Sequence, residues 1–549
     1  MAKFLHIQQF GKPLHYGPEL QTMLIKLGFT LLSNGQTYQQ FSQKANFKNF
    51  PSDAWLTDMF PVKPLVNIDA LKDLDIGFSG VYLHKMRFSA DLFRDYFGIK
   101  QLYYWYQDGL LIASNDQMAI LACLPSTPEP DLLAIKNYLN DRCHLSPSTF
   151  FEGIYRVLPG ERINFSFSGI EKSYFWPVKN IPFKDQNASS YIESLKHRIA
   201  HFSNHNKKIY VAINGGIHSA SLASLLRKYL SKEIKGIFHT SNNSNPFYSN
   251  RAHAVAVVHD FDLIKTSEPT DILKDLQYLT ALTTRPICPS TKSIALLRTV
   301  KKAQGGILFT GHGGEEMSQS FEFYKRTLVQ KQDFDLLKSV LEKEHKLSGV
   351  KDNFELYFIR ELYKLLAGSF FQKIAFILLI PQVRKPFIFR FIKIKLRSSD
   401  RNKRTPKTDR LGQDRPISSE LNTTLEILDT LGNQLKVQLA FPFLTKEEIR
   451  TQVLEKDDHL KTSAAELLPD IFKDDKKDKE SNSREIEILR LIQQALPLFH
   501  DKHPIWQYIE KKEFENEISQ SEELILSSEK VSKLLRKLYL GIWLNEFYT

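Results

Sequence analysis

The stretch Tyr210–Leu226, "YVAINGGIHSASLASLL", decides how the rest of the chain is read. It begins as an apolar strand, breaks at Gly215 and Gly216, and continues as a helix rich in Ala and Leu. Backbone N–H groups and the positive end of the helix dipole then point at one spot, as they do where chains cradle phosphate. Asn214, Gly215, Gly216, Ser219 and Ser221 are the candidate contacts, the serines adding hydroxyl donors. No Gly-Lys-Ser/Thr follows, so this is not a Walker loop. Where a metal-bound phosphate site would want a carboxylate, the chain has His218. Taken alone, the pattern fits a plain glycine turn before a Ser-capped helix better than a phosphate site.

The flanking sequence extends the alternation. "KKIYVAI" and "IKGIFHT" read as strands, "SLASLLRKYL", "AHAVAVVHDF" and "SIALLRTVKKAQ" as helices, and "GGILFTGHGGEE" as a strand running into a second glycine turn. That order predicts a parallel sheet flanked by helices, with ligands beyond the carboxyl ends of the strands. Two turns would converge there. One supplies amides; the other holds Gly311, Gly313 and Gly314 and ends in Glu315 and Glu316, hard oxygen ligands of the kind Mg2+ on ATP prefers. A solvated helix N-terminus explains the two acids equally well. Upstream, residues 1–176 alternate short aromatic and β-branched runs with turns ("GFSGVYLH", "KQLYYWYQDGLLIAS", "ERINFSFSG"), which predicts hairpin-rich β structure. A linker from Trp176 and a helix over residues 189–202 separate the halves. The runs "SSDRNKRTPKTDRLGQDRPISS" and "KDDKKDKESNS" read as mobile loops, and no internal repeat is visible.

Bulk properties narrow the class. With 549 residues, 42% apolar and 25% charged, the chain has core enough for a multidomain globular protein. The three cysteines, Cys123, Cys143 and Cys288, have no zinc-type spacing and argue against a disulfide framework, so a cytoplasmic protein is expected. The opening "MAKFLHIQQFGKPLHYG" lacks the apolar core and cleavage site of a signal peptide. The net charge of +12 is concentrated, since Arg384–Arg410 holds 11 Lys/Arg against 2 Asp/Glu. No nucleic-acid-binding module accompanies it, so nucleic acid is not an expected partner. "FQKIAFILLIPQVRKPFIFRFIKIKLR" is apolar and basic together, but Lys373 and Pro381 interrupt the apolar run and leave too little to span a bilayer. A helical insertion with a basic solvent face, about residues 366–420, is expected there in preference to contact with a membrane surface. An acidic substrate such as a leader peptide would dock on this patch.

At the level of motifs the chain resembles the asparagine synthetase-like family, which includes β-lactam synthetases and lasso-peptide cyclases. "DLFRDYFGIKQLYYWYQDGLLIASNDQMAILA", Asp91–Ala122, is similar to the family's run of Arg-Asp, Phe-Gly-Ile-Lys and Leu-Tyr-Tyr. "TFFEGIYRVLPGERINF" and "SYFWPV" resemble the elements that follow. "NGGIHSAS" is similar to the Ser-Gly-Gly-(Leu/Ile)-Asp-Ser-Ser pyrophosphate loop, "RPICPST" to a proline-containing loop, "TGHGGEE" to the Gly-Asp/Glu-Gly-Gly/Ala-Asp-Glu turn, and "AFPFLTKEEI" to the Pro-Phe-Leu-Asp element. These elements keep the family's order over most of the chain. The resemblance implies an α/β protein with an N-terminal αββα (Ntn-type) glutaminase-type domain, residues 1–180, before a parallel-sheet ATP-pyrophosphatase-like domain, residues 181–549. It implies activation of a carboxylate by ATP to an acyl-adenylate with loss of pyrophosphate, then attack by an amine.

Residue by residue, the resemblance implies ATP or pyrophosphate binding by Asn214, Gly215, Gly216, His218, Ser219, Ser221, Gly311, Gly313 and Gly314. It implies catalysis by Glu315, Glu316 and Arg484, with Mg2+ at Glu315. Several ligands are altered. His218 replaces the loop's metal-binding Asp, and imidazole is a poor Mg2+ ligand. His312 replaces the acid of the second turn, and Thr445 stands where the family has the Asp of Pro-Phe-Leu-Asp. Ile486 occupies the position of a family lysine, with Arg484 beside it as a substitute whose planar fork differs from an ammonium. The family's glutaminase chemistry needs an N-terminal cysteine, and none precedes Cys123. Two functions therefore stay open. One is an ATP-dependent amide-bond-forming ligase without glutaminase activity, acting on a small-molecule or peptide carboxylate. The other is a catalytically inactive binding or scaffold protein, for example in peptide modification, working with a protein partner or a second copy.

Overall fold

The computed structural model describes residues 3–10, 14, 22, 24–25, 29–34, 38–43, 46–49, 53–60, 68–140, 146–174, 184–185, 188–203, 206–230, 232–240, 246–267, 271–289, 292–318, 325, 328–329, 332–347, 353–366, 373, 418–445, 451–452, 491–492, 494–523 and 528–549. The N-terminal run of alternating residues folds as twelve strands: β1 (Lys3–Gln9), β2 (Thr30–Asn34), β3 (Tyr38–Gln43), β4 (Asn46–Asn49), β5 (Asp53–Phe60), β6 (Gly77–His84), β7 (Ser89–Arg94), β8 (Tyr103–Gln107), β9 (Leu110–Ser114), β10 (Ile154–Arg156), β11 (Glu161–Ser166) and β12 (Gly169–Tyr174). They form two antiparallel sheets, ordered β10-β8-β9-β1-β3-β2 and β12-β11-β7-β6-β5-β4. Because successive strand residues point to opposite faces, Phe4 packs between the sheets with Leu56, Val81, Leu92, Leu111 and Phe165. Leu5 and Ile7 face the other way, into a core shared with Ile120 and Ile135 of helices α1 (Gln117–Leu121) and α2 (Leu132–Leu139). Over the outer face of the second sheet, Leu71 of a 3-10 turn covers Trp55, Phe78 and Phe93.

The motif "RDYFGIK" is explained by the turn it builds. The buried Arg94 guanidinium donates to the carbonyls of Lys100 (2.6 Å), Val157 (2.8 Å) and Gly98 (2.9 Å). The Asp95 carboxylate accepts from the N–H groups of Phe97 (3.1 Å), Ile99 (3.0 Å) and Lys100 (2.9 Å). These bonds satisfy the backbone of a buried turn that no strand partner covers.

The second half holds β13 (Lys184–Asp185), α3 (Ala188–Ser203), β14 (Ile209–Ala212), α4 (Ile217–Tyr229), β15 (Ile234–Thr240), α5 (Pro246–Val258), β16 (Asp262–Ser267), α6 (Ile272–Thr283), α7 (Ser293–Lys302), β17 (Ile307–Phe309) and α8 (Gly314–Ser318). It continues with α9 (Phe334–Leu347), α10 (Phe354–Leu365), α11 (Ser419–Leu435), β18 (Gln438–Ala440), β19 (Thr451–Gln452), α12 (Lys511–Glu523) and α13 (Ser528–Tyr548). Five strands make one parallel sheet in the order β16-β15-β14-β17-β18. The expected parallel sheet is therefore present, and it sets the ends of β14 and β17 side by side. The helix expected over residues 189–202 is α3. "AHAVAVVHDF" differs from its expectation: the helix begins earlier, at Pro246, and ends at Val258, with Asp260 in a left-handed conformation (φ 49°) turning the chain into β16. The basic segment Arg384–Arg410 and the run "KDDKKDKESNS" lie outside the described residues. Ser418, from the end of the other expected loop, instead caps α11 by accepting from the Leu421 N–H at 3.0 Å.

Buried ion pairs join the halves. Lys100 lies 3.0 Å from Asp58 and 2.9 Å from Asp429 of α11, and the Gln101 N–H donates to the same Asp429 carboxylate at 3.0 Å. Glu426, one turn earlier, accepts from Arg156 at 2.8 Å and also pairs with Arg285. Trp543 of α13 packs on Phe150 and Phe151, with ring centroids 5.5 and 5.3 Å away. Cys123 and Cys288 are buried. Among the described residues no helix is long and apolar enough to cross a membrane.

Candidate active site

The site is built where β14 ends. Gly215 has φ +77°, and a Cβ there would lie 2.5 Å from the Tyr248 carbonyl oxygen, so only glycine lets the turn pass α5 this closely. The Asn214 side-chain oxygen accepts from the Gly216 N–H at 2.9 Å. The Ser219 hydroxyl lies 2.6 Å from that same oxygen and 2.9 Å from the Gly216 carbonyl, and it accepts from the Asn214 N–H at 3.3 Å. Asn214 and Ser219 therefore hold the turn's own shape, and Ser221 is buried inside α4. Gly216 caps α4 without a side-chain acceptor. The first N–H groups of any helix have no intrahelical partner, so such an end can receive an external acceptor. Together with the helix dipole they make an anion-binding end.

The second turn follows β17 and touches the first. A Cβ on Gly311 would stand 3.2 Å from the Ser219 nitrogen, and one on Gly314 would stand 2.5 Å from the His218 ring. His218 thus lies against the backbone of the second turn, and its ring meets Phe443 edge-on at 5.7 Å between centroids. Gly313, with φ +89°, is similarly covered by Leu444, whose Cγ would be 2.6 Å from an added Cβ. The two glycine turns and the "PFLT" element therefore form one packed unit. Thr445 is buried within it.

Glu315 and Glu316 open α8 beside this unit, Glu315 exposed and Glu316 half-buried. Burial raises the Glu316 pKa above the ordinary carboxylate value. The negative charges of Glu315 and of Glu420 in the first turn of α11 push the same way, while the Glu316 N–H and His218 oppose them. Burial pulls His312 down to about 4, so it is neutral at pH 7, and its Nδ1 has no hydrogen-bond partner among the described residues. Arg484 lies outside the described residues.

An implied Mg·ATP can be tested against these donors. The α4 N-terminus suits the phosphates on hydrogen-bonding and dipole grounds. The metal is a poorer fit: His218 is packed on Gly314 where a carboxylate would reach out, and no three His, Cys, Asp or Glu side chains among the described residues are grouped to hold an ion. No reaction step is therefore assigned to a protein-held metal.

Three contributors carry no motif signal in the sequence. Tyr248 supplies the backbone against which Gly215 turns, and Glu420 reaches Glu316 electrostatically from a helix about a hundred residues downstream. Arg198 of α3 donates to the carbonyls of Phe441, Pro442 and Leu444.

Two family models match the chain. The model described as a glutamine amidotransferase domain matches residues 70–176, and the model described as asparagine synthase matches residues 201–463. No curated protein matches the chain at a significant level. Among solved structures, NMN synthetase from Francisella tularensis is 18% identical, with 26% of this chain and 59% of that chain covered at a TM-score of 0.20. Glutamine phosphoribosylpyrophosphate amidotransferase from B. subtilis, complexed with ADP and GMP, is 7% identical over 48% of this chain and 84% of that one, also at 0.20. An allosteric regulatory enzyme of purine biosynthesis is 8% identical over 48% and 74%, again at 0.20. The chain spans less than two thirds of the synthetase's length.

Proposed function

We propose that this chain, which belongs to the asparagine synthetase-like family, is an ATP-dependent amide-bond-forming ligase that takes no nitrogen from glutamine. The observation that carries the reading is the meeting of the two glycine turns at the carboxyl ends of β14 and β17, beneath a helix end without a side-chain cap. In this reading the α4 N-terminus holds the phosphates of ATP, and the Asn214–Ser219 bond keeps its amides aligned. A substrate carboxylate attacks the α-phosphorus, the P–O bond to pyrophosphate breaks, and the pyrophosphate stays on the helix end. An amine then attacks the acyl carbon and AMP leaves. Neutral His312 stands next to this chemistry where the family has an acid, able to accept a proton but supplying no negative charge.

No cysteine lies near the start of β1, and burial pushes the Cys123 thiol up to about 12, far from a nucleophile's range. The amine therefore comes with the small-molecule or peptide substrate, or free from solution. His218 and His312 favour a second reading, a protein that keeps the fold and phosphate cradle but not adenylation, and serves as a partner in peptide modification. Calorimetric titration with ATP in Mg2+ and then in EDTA tests the proposal. Binding that needs Mg2+ supports the ligase; binding indifferent to Mg2+ favours the second reading. No binding in either buffer refutes a nucleotide site.

A further inference from the structure

Behind the two glycine turns, the Phe441–Thr445 turn engages three of its carbonyls, those of Phe441, Pro442 and Leu444, with one guanidinium. Arg198 Nε donates to the Pro442 carbonyl at 2.9 Å, and Nη2 donates to those of Leu444 at 2.8 Å and Phe441 at 3.5 Å. Its remaining arm, Nη1, donates to the Asp75 carbonyl at 3.1 Å and carboxylate at 3.0 Å, in the N-terminal domain. Within the turn, the Leu444 N–H donates to the Phe441 carbonyl and the Thr445 N–H to the Phe443 carbonyl, each at 3.1 Å. Converging carbonyl dipoles repel one another unless a cation sits among them, and a planar fork serves several acceptors in fixed directions where an ammonium cannot.

With its carbonyls held by Arg198, the turn presents Phe443 to the His218 ring and Leu444 to Gly313. We infer that Arg198 is the positioning residue of this site: it fixes the Phe441–Thr445 turn, which in turn fixes His218 and the second glycine turn, and Asp75 anchors it to the N-terminal domain. Through Asp75 the N-terminal domain thereby bears mechanically on the site. The consequence for nucleotide rests on the function proposed above; the consequence for turn geometry does not.

Hydrogen exchange on the full chain without nucleotide tests the inference, comparing wild type, Arg198→Lys and Asp75→Ala. Arg198→Lys keeps the charge but loses the fork. Exchange in peptides covering residues 440–446 and 311–316 should rise roughly tenfold or more, as expected for losing charge-assisted hydrogen bonds. Peptides from β6 and β7 should be unchanged. Asp75→Ala, which leaves the three turn carbonyls paired, should raise exchange in the same peptides about threefold, because Nη1 loses the carboxylate and keeps only the residue-75 backbone carbonyl. Unchanged exchange in these peptides, or a uniform rise over both domains, overturns the inference and leaves Arg198 a general stabiliser. Should Arg198→Lys not fold, Asp75→Ala decides by the same criterion. Calorimetry with ATP on the same proteins should show weakened binding in Arg198→Lys. A wild type that binds no ATP would refute the proposed function while leaving the exchange comparison valid.

Discussion

Gly215 and Gly305 have nearly the same backbone, φ +77° and +79°, but different surroundings. A Cβ at 215 would meet the Tyr248 oxygen at 2.5 Å and its Cα at 2.9 Å, all rigid backbone, whereas one at 305 would meet nothing within 4 Å. Alanine at either position takes a left-handed conformation at a cost of about 1–2 kcal/mol. At 215 the forced displacement of α5 adds an overpacking term of about 1–3 kcal/mol. Gly215→Ala should therefore destabilise its surroundings by about 2–5 kcal/mol, and Gly305→Ala by about 1–2 kcal/mol. A chain of this size does not unfold in one two-state step, so native-state hydrogen exchange of β14 and α4 is the assay. Gly215→Ala should speed exchange there well beyond Gly305→Ala and abolish any ATP binding. Equal effects of the two variants would refute the argument that the turn is shaped by close approach to Tyr248.

Other parts of the molecule are open to the same treatment. His218→Asp removes the ring from Gly314 and returns a carboxylate to the loop, so affinity for ATP in Mg2+ should rise about tenfold, with no gain in EDTA, as calorimetry would show. Lys100→Met leaves Asp58 and Asp429 buried without their cation, a loss of about 3–5 kcal/mol that native-state hydrogen exchange of β5 and α11 would register. Adding Asp429→Asn should recover part of it. Burial holds His6 near 4 against 6.5 in the unfolded chain, so between those values the unfolded state binds more protons and stability rises with pH. Between pH 8 and pH 5 His6 should cost the folded protein about 2 kcal/mol, and His6→Gln should remove that part of the slope in melts across pH.

How the parallel-sheet half would run was legible in the chain itself. The periods of strand and helix are local, and glycine pairs mark where one gives way to the other, so "YVAINGGIHSAS" announced a strand, a turn and a helix. Motif order likewise announced the two-part architecture that the antiparallel sheets and the five-stranded parallel sheet display. What local pattern could not decide is which groups are left for a ligand. Ser219 read as a phosphate donor, yet its hydroxyl is engaged with Asn214 and Gly216. His218 read as the residue standing where a metal-binding Asp is expected, and only the structure shows its ring packed on Gly314 and Phe443.

The residues that organise the site from outside it were invisible for a physical reason. Asp75 lies 123 residues from Arg198, and the Leu444 carbonyl lies 246 from it. Such pairs leave no periodicity, because nothing along the intervening chain depends on them. The sequence by itself determined the elements and the glycine turns, since those follow from φ/ψ preference and the spacing of apolar residues. Tertiary structure alone decided the electrostatics of the site. Parallel strands are joined by long crossovers, and only their packing brings β14, β17 and the turn after β18 to one place.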